Sequence, residues 1–162
     1  MVDAGGQSWK ALSIRQPWVD LILSGLKTIE IREWTYPPSY RGGFVIHSAR
    51  GLDWKTVALF GGRRRYNYPR GAYVAIAELY DVIEIDPARN WAALARQHRV
   101  IHPPNFGTPV SGLRLRNVVP LDRSVRGRGG PYFFPLDTKA NVEITAQVGR
   151  PRESVLTSLA RP

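Results

Sequence analysis

The alternation of apolar and polar residues predicts β-strands along most of the chain. Ile29 and Ile31 alternate with Glu30 and Arg32, which indicates a strand with one buried face and with both charged side chains on the opposite face. Similar alternation, or runs of β-branched and aromatic residues, predicts further strands at residues 9–14, 44–49, 72–85, 112–119 and 142–148.

Short helices are predicted where apolar residues recur with helical spacing. Trp18, Leu21 and Ile22 recur at i, i+3 and i+4, Pro17 suits a first helical turn, and Gly25 can adopt the left-handed conformation that ends a helix. Further helices are expected at residues 52–60, 86–98 and 152–160. Because strands outnumber helices without a regular β-α-β order, the pattern predicts an α+β fold, a small mixed β-barrel with short flanking helices.

The composition favours a polyanionic partner. The formal net charge is +10, which is typical of proteins that bind nucleic acid, although a dispersed surface charge would give the same total. Cysteine is absent, and the chain contains neither an apolar run long enough to span a membrane nor the pattern of a signal peptide. We therefore expect a cytoplasmic protein with no membrane partner and no thiolate metal site.

The densest group of polar residues consists of Lys27, Glu30 and Arg32. Two cations beside a carboxylate could bind a phosphate or a base edge, because arginine offers a planar fork and lysine a point charge, with Glu30 orienting one of them. A salt bridge on a solvated sheet face is the alternative. Arg15, at the end of the first strand and close to a helix N-terminus, is a further candidate for anion binding.

Other candidate residues flank this group. Trp34 directly follows the strand and could stack an unpaired base or cover the end of the barrel. His47 is expected to be structural or to line the cleft, since no spacing typical of metal ligands accompanies it, and neither a metal nor a cofactor is predicted. Contacts with a nucleic-acid backbone are predicted for the arginines of two basic loops: Arg63, Arg64, Arg65, Arg70, Arg126 and Arg128.

Several motifs, in order along the chain, resemble the ASCH domain family. Gly25, Lys27, Glu30 and Arg32 match its G-x-K-x-x-E-x-R signature, QPW precedes them, and YPRGAYVAIAELYDV and GLRLRNVVPLDRSVRGRGGPYFFPLD follow. The chain is most similar to the type found at the C-terminal end of the transcriptional coactivator activating signal cointegrator 1. The resemblance implies a domain at residues 9–137, a flexible N-terminus at 1–8, and a C-terminal extension at 138–162 with a strand and a short helix.

The resemblance also implies a PUA-like barrel with a cleft that typically faces RNA. Some ASCH proteins are amidohydrolases that deacylate N4-acetylcytidine, and others are ribonucleases. The catalytic lysine of the amidohydrolases matches Lys27, which would be the catalytic residue if this chain were an enzyme. Glu30 stands where they have a threonine, which counts against the same reaction, and Glu78 is a candidate for their glutamate.

The sequence therefore predicts a monomeric nucleic-acid-binding protein, with RNA favoured over DNA, that uses a basic cleft beside a PUA-like barrel. A hydrolase that acts on RNA or on a modified nucleoside is the first alternative. A basic protein-interaction module is the second, and it predicts weak nucleic-acid binding that does not depend on Lys27 or Arg32.

Overall fold

A computed structural model of the chain describes residues 8–34, 36–59, 69–103 and 107–149. In these residues, six strands and four short helices follow one another in the order β1, α1, β2, β3, α2, β4, α3, β5, β6 and α4. The strands are β1 Lys10–Gln16, β2 Ile29–Arg32, β3 Gly42–Leu52, β4 Ala72–Ile85, β5 Val110–Arg126 and β6 Phe133–Pro135. The helices are α1 Trp18–Leu23, α2 Trp54–Leu59, α3 Ala95–His98 and α4 Thr138–Val148.

The six strands form one mixed sheet in the order β2-β5-β4-β3-β1-β6. Only the β1–β3 pair is parallel, and the other neighbouring strands run antiparallel. The predicted α+β fold with short flanking helices is thus confirmed, and the sheet of the predicted small barrel is not closed, because the described strands include no β2–β6 ladder. Side chains connect the two ends of the sheet instead: Trp34, just after β2, contacts the rings of Tyr132 and Phe133.

Three clusters of buried apolar residues stabilise the sheet. In the first, α1 packs its Val19 and Ile22 against strand residues such as Phe44 and Leu113. In the second, Ala140 and Ile144 of α4 pack against Trp9 and Tyr73, and in the third Ile29 of β2 packs against Trp91. Leu21, Ile22 and Ile29 of the predicted apolar faces are therefore buried, whereas Trp18 and Ile31 are only partly buried. Glu30, which was predicted on the polar face of β2, is buried as well.

The helix–glycine–strand unit that precedes the site forms as the sequence predicts. Helix α1 ends at Leu23, and Gly25 has φ of +76°, a conformation that a side chain would disfavour. Gln16 supports the first turn, since its side-chain oxygen accepts a hydrogen bond from the Asp20 amide at 3.1 Å. The chain turns after the helix, and the Lys27 amide donates to the Leu21 carbonyl at 2.9 Å before β2 begins.

Two predicted elements are wrong. Only residues 95–98 of the predicted helix at 86–98 are helical, because Asp86 and Asn90 bond to nearby backbone amides and hold the preceding segment in turns. Residues 142–148 belong to helix α4 and not to a strand. Asp137 caps this helix by accepting from the Ala140 amide at 2.9 Å.

Helix α4 is connected to the start of the sheet by polar contacts as well as by packing. The Trp9 amide donates to the Asn141 side chain at 2.8 Å, and the Trp9 indole donates to the Gly149 carbonyl at 3.2 Å.

The predicted terminal helix at residues 152–160 lies outside the described residues. None of the helices in the described part of the chain has the length and apolar character that crossing a membrane requires.

Candidate functional site

A cavity of about 500 Å³ opens between the end of β1, helix α1 and strand β2. We call it the first cavity. Strand β2 supplies one wall, β1 and α1 supply the second, and the segment after α3 supplies the third. Its lining consists of Ser13, Arg15, Trp18, Lys27, Glu30, Ile31, Arg32, Glu33, Trp34, Asp53, Val100 and His102.

Lys27 is buried in the wall of the first cavity and is only 2 % exposed. Its Nζ donates to the carbonyl oxygens of Ile29 at 2.7 Å and His98 at 2.6 Å, and it lies 3.4 Å from Glu30 Oε2. The Trp18 ring covers it at 4.9 Å. Burial lowers the pKa of the Lys27 ammonium, and the Glu30 carboxylate opposes that shift. Since an ammonium has three N–H donors, these three acceptors can use them all.

Glu30 connects Lys27 to Arg32. Its second oxygen lies 3.1 Å from Arg32 Nη2, which also donates to the Ser13 carbonyl at 2.7 Å. The Arg32 Nε is buried and has no hydrogen-bond partner among the described residues, so the guanidinium still has an unsatisfied donor. The Arg32 Cζ lies 5.6 Å from the Trp34 ring centroid. The guanidinium is therefore fixed between a carboxylate, a carbonyl and an indole.

The charges that line the first cavity are balanced. Three carboxylates (Glu30, Glu33 and Asp53) accompany three cations (Arg15, Lys27 and Arg32). Asp53 also caps α2, where its side chain accepts from the Thr56 amide at 3.2 Å. The sequence predicted a basic cleft at this position, whereas the structure shows a polar cavity with aromatic walls.

The sequence did not identify the residues that hold Lys27 from the opposite side. His98 supplies its carbonyl to Lys27, and its ring is locked in turn: the Val100 amide donates to Nδ1 at 3.0 Å, and Nε2 faces the Trp91 carbonyl at 3.0 Å. Burial lowers the pKa of the His98 imidazole, and the nearby Lys27 ammonium lowers it further. The two backbone partners therefore favour one neutral tautomer of His98.

A second cavity, of about 480 Å³, adjoins the first and shares Ser13 with it. It lies where the end of β3, the start of β4 and the segment at residues 127–130 meet, and we call that segment the glycine turn. The lining consists of Ser13, His47, Ala49, Arg50, Gly71, Gly127, Arg128 and Gly129. Among the described residues, its lining includes two arginines and no carboxylate, whereas the sequence predicted the basic cleft at the position of the first cavity.

His47 attaches the glycine turn to the sheet. Its Nε2 lies 2.9 Å from the Gly127 carbonyl, and its Nδ1 lies 3.1 Å from the Ser13 hydroxyl, which accepts from the Gly130 amide at 3.3 Å. Because a carbonyl only accepts, Nε2 carries the hydrogen and Nδ1 accepts from Ser13. Burial lowers the pKa of His47, the Gly127 carbonyl opposes this shift, and the Arg50 guanidinium reinforces it.

The structure separates the residues that the sequence grouped as candidates. Arg15, Lys27, Glu30, Arg32 and Trp34 line the first cavity, whereas His47 and Arg128 line the second. Arg70 lies beside the second cavity and donates to the Arg50 carbonyl at 2.9 Å. Arg126 lies elsewhere, in a hollow next to α4. Arg63, Arg64 and Arg65 lie outside the described residues.

Glu78 belongs to a separate network on β4 and β5. Its carboxylate pairs with Arg116 at 2.7 Å and accepts from the Asn117 amide group at 2.7 Å, and these bonds lower its pKa. The carboxylate next to Lys27 is Glu30, so Glu78 does not fill the role for which it was a candidate.

Within residues 8–34, 36–59, 69–103 and 107–149, no group of His, Asp or Glu side chains could hold a metal ion.

Comparisons with known proteins agree with this architecture. The family model of the ASCH domain matches residues 12–118. The crystal structure of ASCH from Zymomonas mobilis superposes with a TM-score of 0.60 at 14 % identity, over 86 % of this chain and 94 % of that one. Two variants of that protein, one Tyr-to-Phe and one Ser-to-Ala, superpose with the same score and identity. At this identity the likeness concerns the fold. A comparison with curated proteins gave no match.

Proposed function

The chain belongs to the ASCH domain family, and from this premise we propose that it binds nucleic acid, RNA in preference to DNA. The first cavity is the proposed site for an unstacked base. The PUA-like fold supports this proposal at the level of the family. The likeness to the domain of activating signal cointegrator 1, the monomeric state and the cytoplasmic location are parts of the same proposal.

The observation that carries the proposal is the arrangement of Arg32 and Trp34. The Arg32 guanidinium is fixed by Glu30 and by the Ser13 carbonyl, and the half-buried Trp34 ring lies beside it in the cavity wall. An aromatic face for stacking together with a fixed donor for a base edge is the combination by which proteins read unpaired bases. A paired base inside a duplex could not enter the cavity, so the proposed ligand is single-stranded.

In this proposal Lys27 and Glu30 position Arg32 and do not themselves contact phosphate. Lys27 directs its donors to two backbone carbonyls and to Glu30, and Glu30 in turn holds Arg32. The pair is therefore expected to contribute to the shape of the site, whereas Arg32 and Trp34 contribute to recognition of the base.

The test is fluorescence anisotropy with labelled single- and double-stranded RNA and DNA across a salt series. Stacking on one aromatic side chain is worth about 1–3 kcal/mol per base, so Trp34→Ala should weaken single-stranded RNA binding by about 5- to 150-fold. Tyr80→Ala removes an aromatic ring that lines neither cavity and is the matched control. Trp34→Phe should restore part of the affinity.

Three results would contradict the proposal. The first is an absence of binding at moderate salt, and the second is equal loss in Trp34→Ala and Tyr80→Ala. The third is a clear preference for duplex DNA, which would identify a different class of ligand. Melting temperatures of the variants, measured in parallel, separate a loss of contact from a loss of folding.

A hydrolase is the second candidate, and one observation favours it. Burial lowers the pKa of Lys27, which is the direction that a lysine base requires, and Lys27 lines the first cavity. Its contacts with two carbonyls and Glu30 would have to break before it could act. Turnover of N4-acetylcytidine or cleavage of single-stranded RNA, lost in Lys27→Ala, would support this candidate.

A further inference from the structure

The second cavity has the chemistry of a phosphate site. Arg50 and Arg128 line it, both are exposed, and none of the ion pairs between described residues engages either of them. Arginine binds phosphate through two parallel hydrogen bonds, and two such side chains around one cavity provide several donors. By contrast, the first cavity has as many carboxylates as cations in its lining.

Two glycines let the backbone around the second cavity pack closely against neighbouring side chains. Gly71 has φ of +68°, and a Cβ atom at that position would lie 3.1 Å from the Arg50 side chain. At Gly129 a Cβ atom would lie 2.5 Å from Ser13 Oγ and 2.9 Å from His47 Cε1. Both positions therefore disfavour larger residues, Gly129 because it packs against Ser13 and His47, and Gly71 because of its positive φ.

The back wall of the second cavity is rigid and neutral. Ser13 and His47 hold the glycine turn through hydrogen bonds to Gly127 and Gly130, and the lowered pKa of His47 keeps its ring uncharged near neutral pH. This network fixes the backbone position of Arg128 within the glycine turn. The charge available to an anion comes from the two arginines.

The two cavities adjoin at Ser13, which lines both. A nucleotide has the same arrangement, since one sugar separates its flat base from its phosphate. We propose that the second cavity binds the phosphate of the nucleotide whose base enters the first cavity. This inference rests on the proposed function, and it extends that function by naming the recognised unit as a phosphorylated nucleotide.

The direct test compares two double variants that change the net charge equally. Arg50→Ala/Arg128→Ala removes both arginines of the second cavity, and Arg89→Ala/Arg96→Ala removes two exposed arginines that line neither cavity. Anisotropy with a single-stranded RNA is measured for both across a salt series. The first variant should weaken binding by about tenfold to a hundredfold, as expected for lost charged hydrogen bonds.

The salt dependence gives an independent readout. Loss of one phosphate contact should reduce the slope of log K against log salt by about 0.7 for a single strand. The control variant should keep the wild-type slope. Equal losses of affinity and slope in the two variants would overturn the inference, and RNA binding that still depends on Trp34 would leave the proposed function standing.

A titration with inorganic phosphate, followed by amide NMR, tests the second cavity without RNA. Saturable shifts at the amides of Gly127 and Gly129, absent in Arg50→Ala/Arg128→Ala, would support the phosphate site even if RNA binding failed. Shifts that do not saturate, or that persist in the double variant, would show only unspecific binding of the anion and would contradict the site.

Discussion

Substitution of Lys27 by methionine is expected to destabilise the protein strongly. Methionine keeps most of the volume of the side chain but has no donor. Two carbonyl acceptors would lose their partner, and the 8 % exposed Glu30 carboxylate would lose one of its two cations. Lys27 itself is only 2 % exposed, so the change falls in the interior of the site.

The size of the effect follows from burial. Hydrogen bonds to charged groups contribute about 1.5–3 kcal/mol each, and removing one partner of a buried ion pair costs about 3–5 kcal/mol. We therefore expect Lys27→Met to lower the free energy of unfolding by about 3–5 kcal/mol. With a urea dependence of about 2 kcal/mol per molar, the unfolding midpoint should fall by about 1.5–2.5 M.

The assay is urea unfolding followed by tryptophan fluorescence, with the exposed Lys55→Met as the matched control. The double variant Lys27→Met/Glu30→Gln should lose at least about 1 kcal/mol less than the sum of the single variants, because neither buried charge then remains unpaired. A loss below about 1 kcal/mol in Lys27→Met, or strictly additive effects, would refute the role of Lys27 as a buried organiser of the site.

Two further predictions concern the glycine turn and acid stability. Gly129→Ala should weaken RNA binding, because its Cβ atom would clash with Ser13 and His47, whereas Gly51→Ala meets only an ordinary contact at 3.7 Å and should have little effect; equal affinities in anisotropy would refute this. Stability should fall as the pH drops below about 6.5, because the pKa of His47 and His98 is lowered in the folded state and the unfolded chain then binds more protons. Urea midpoints at pH 7.5 and 5.5 should show this fall, which should be smaller in His98→Gln, and a pH-independent midpoint would contradict it.

The part of the site that the sequence predicted well is local. The alternation of residues 29–32 placed Glu30 and Arg32 on one face, and the structure pairs them at 3.1 Å. The glycine after α1 has the expected left-handed conformation. These features follow from periodicity and from steric limits on single residues, and both can be recognised within a few positions of sequence.

The remaining part of the site depends on contacts between distant segments. Parallel pairing of β1 with β3 places Ser13 opposite His47, and the lysine of the signature reaches the His98 carbonyl, 71 positions further along the chain. Neither pairing can be recognised from the local pattern of apolar and polar residues. For this reason neither the contact between Ser13 and His47 nor the presence of two separate cavities could be predicted from local sequence patterns.

The error at residues 142–148 has a different origin. Val142, Ile144 and Val148 fit the period of a strand, but Ala140, Ile144 and Val148 also fit the four-residue spacing of a helix. The Asp137 cap stabilises the helix, and Ala140 and Ile144 pack in the second apolar cluster. Val142 is 63 % exposed. Short apolar patterns of this kind are decided by tertiary packing.

Photocrosslinking tests most directly whether an unpaired base of RNA occupies the first cavity. A single-stranded RNA with 4-thiouridine at one position is irradiated with the protein, and the modified peptide is identified by mass spectrometry. Crosslinks are expected at Trp34 or Trp18, both of which line the cavity, and they should be lost when unlabelled RNA competes. Crosslinks confined to surfaces outside both cavities, at every position of the thiouridine, would contradict binding in the first cavity.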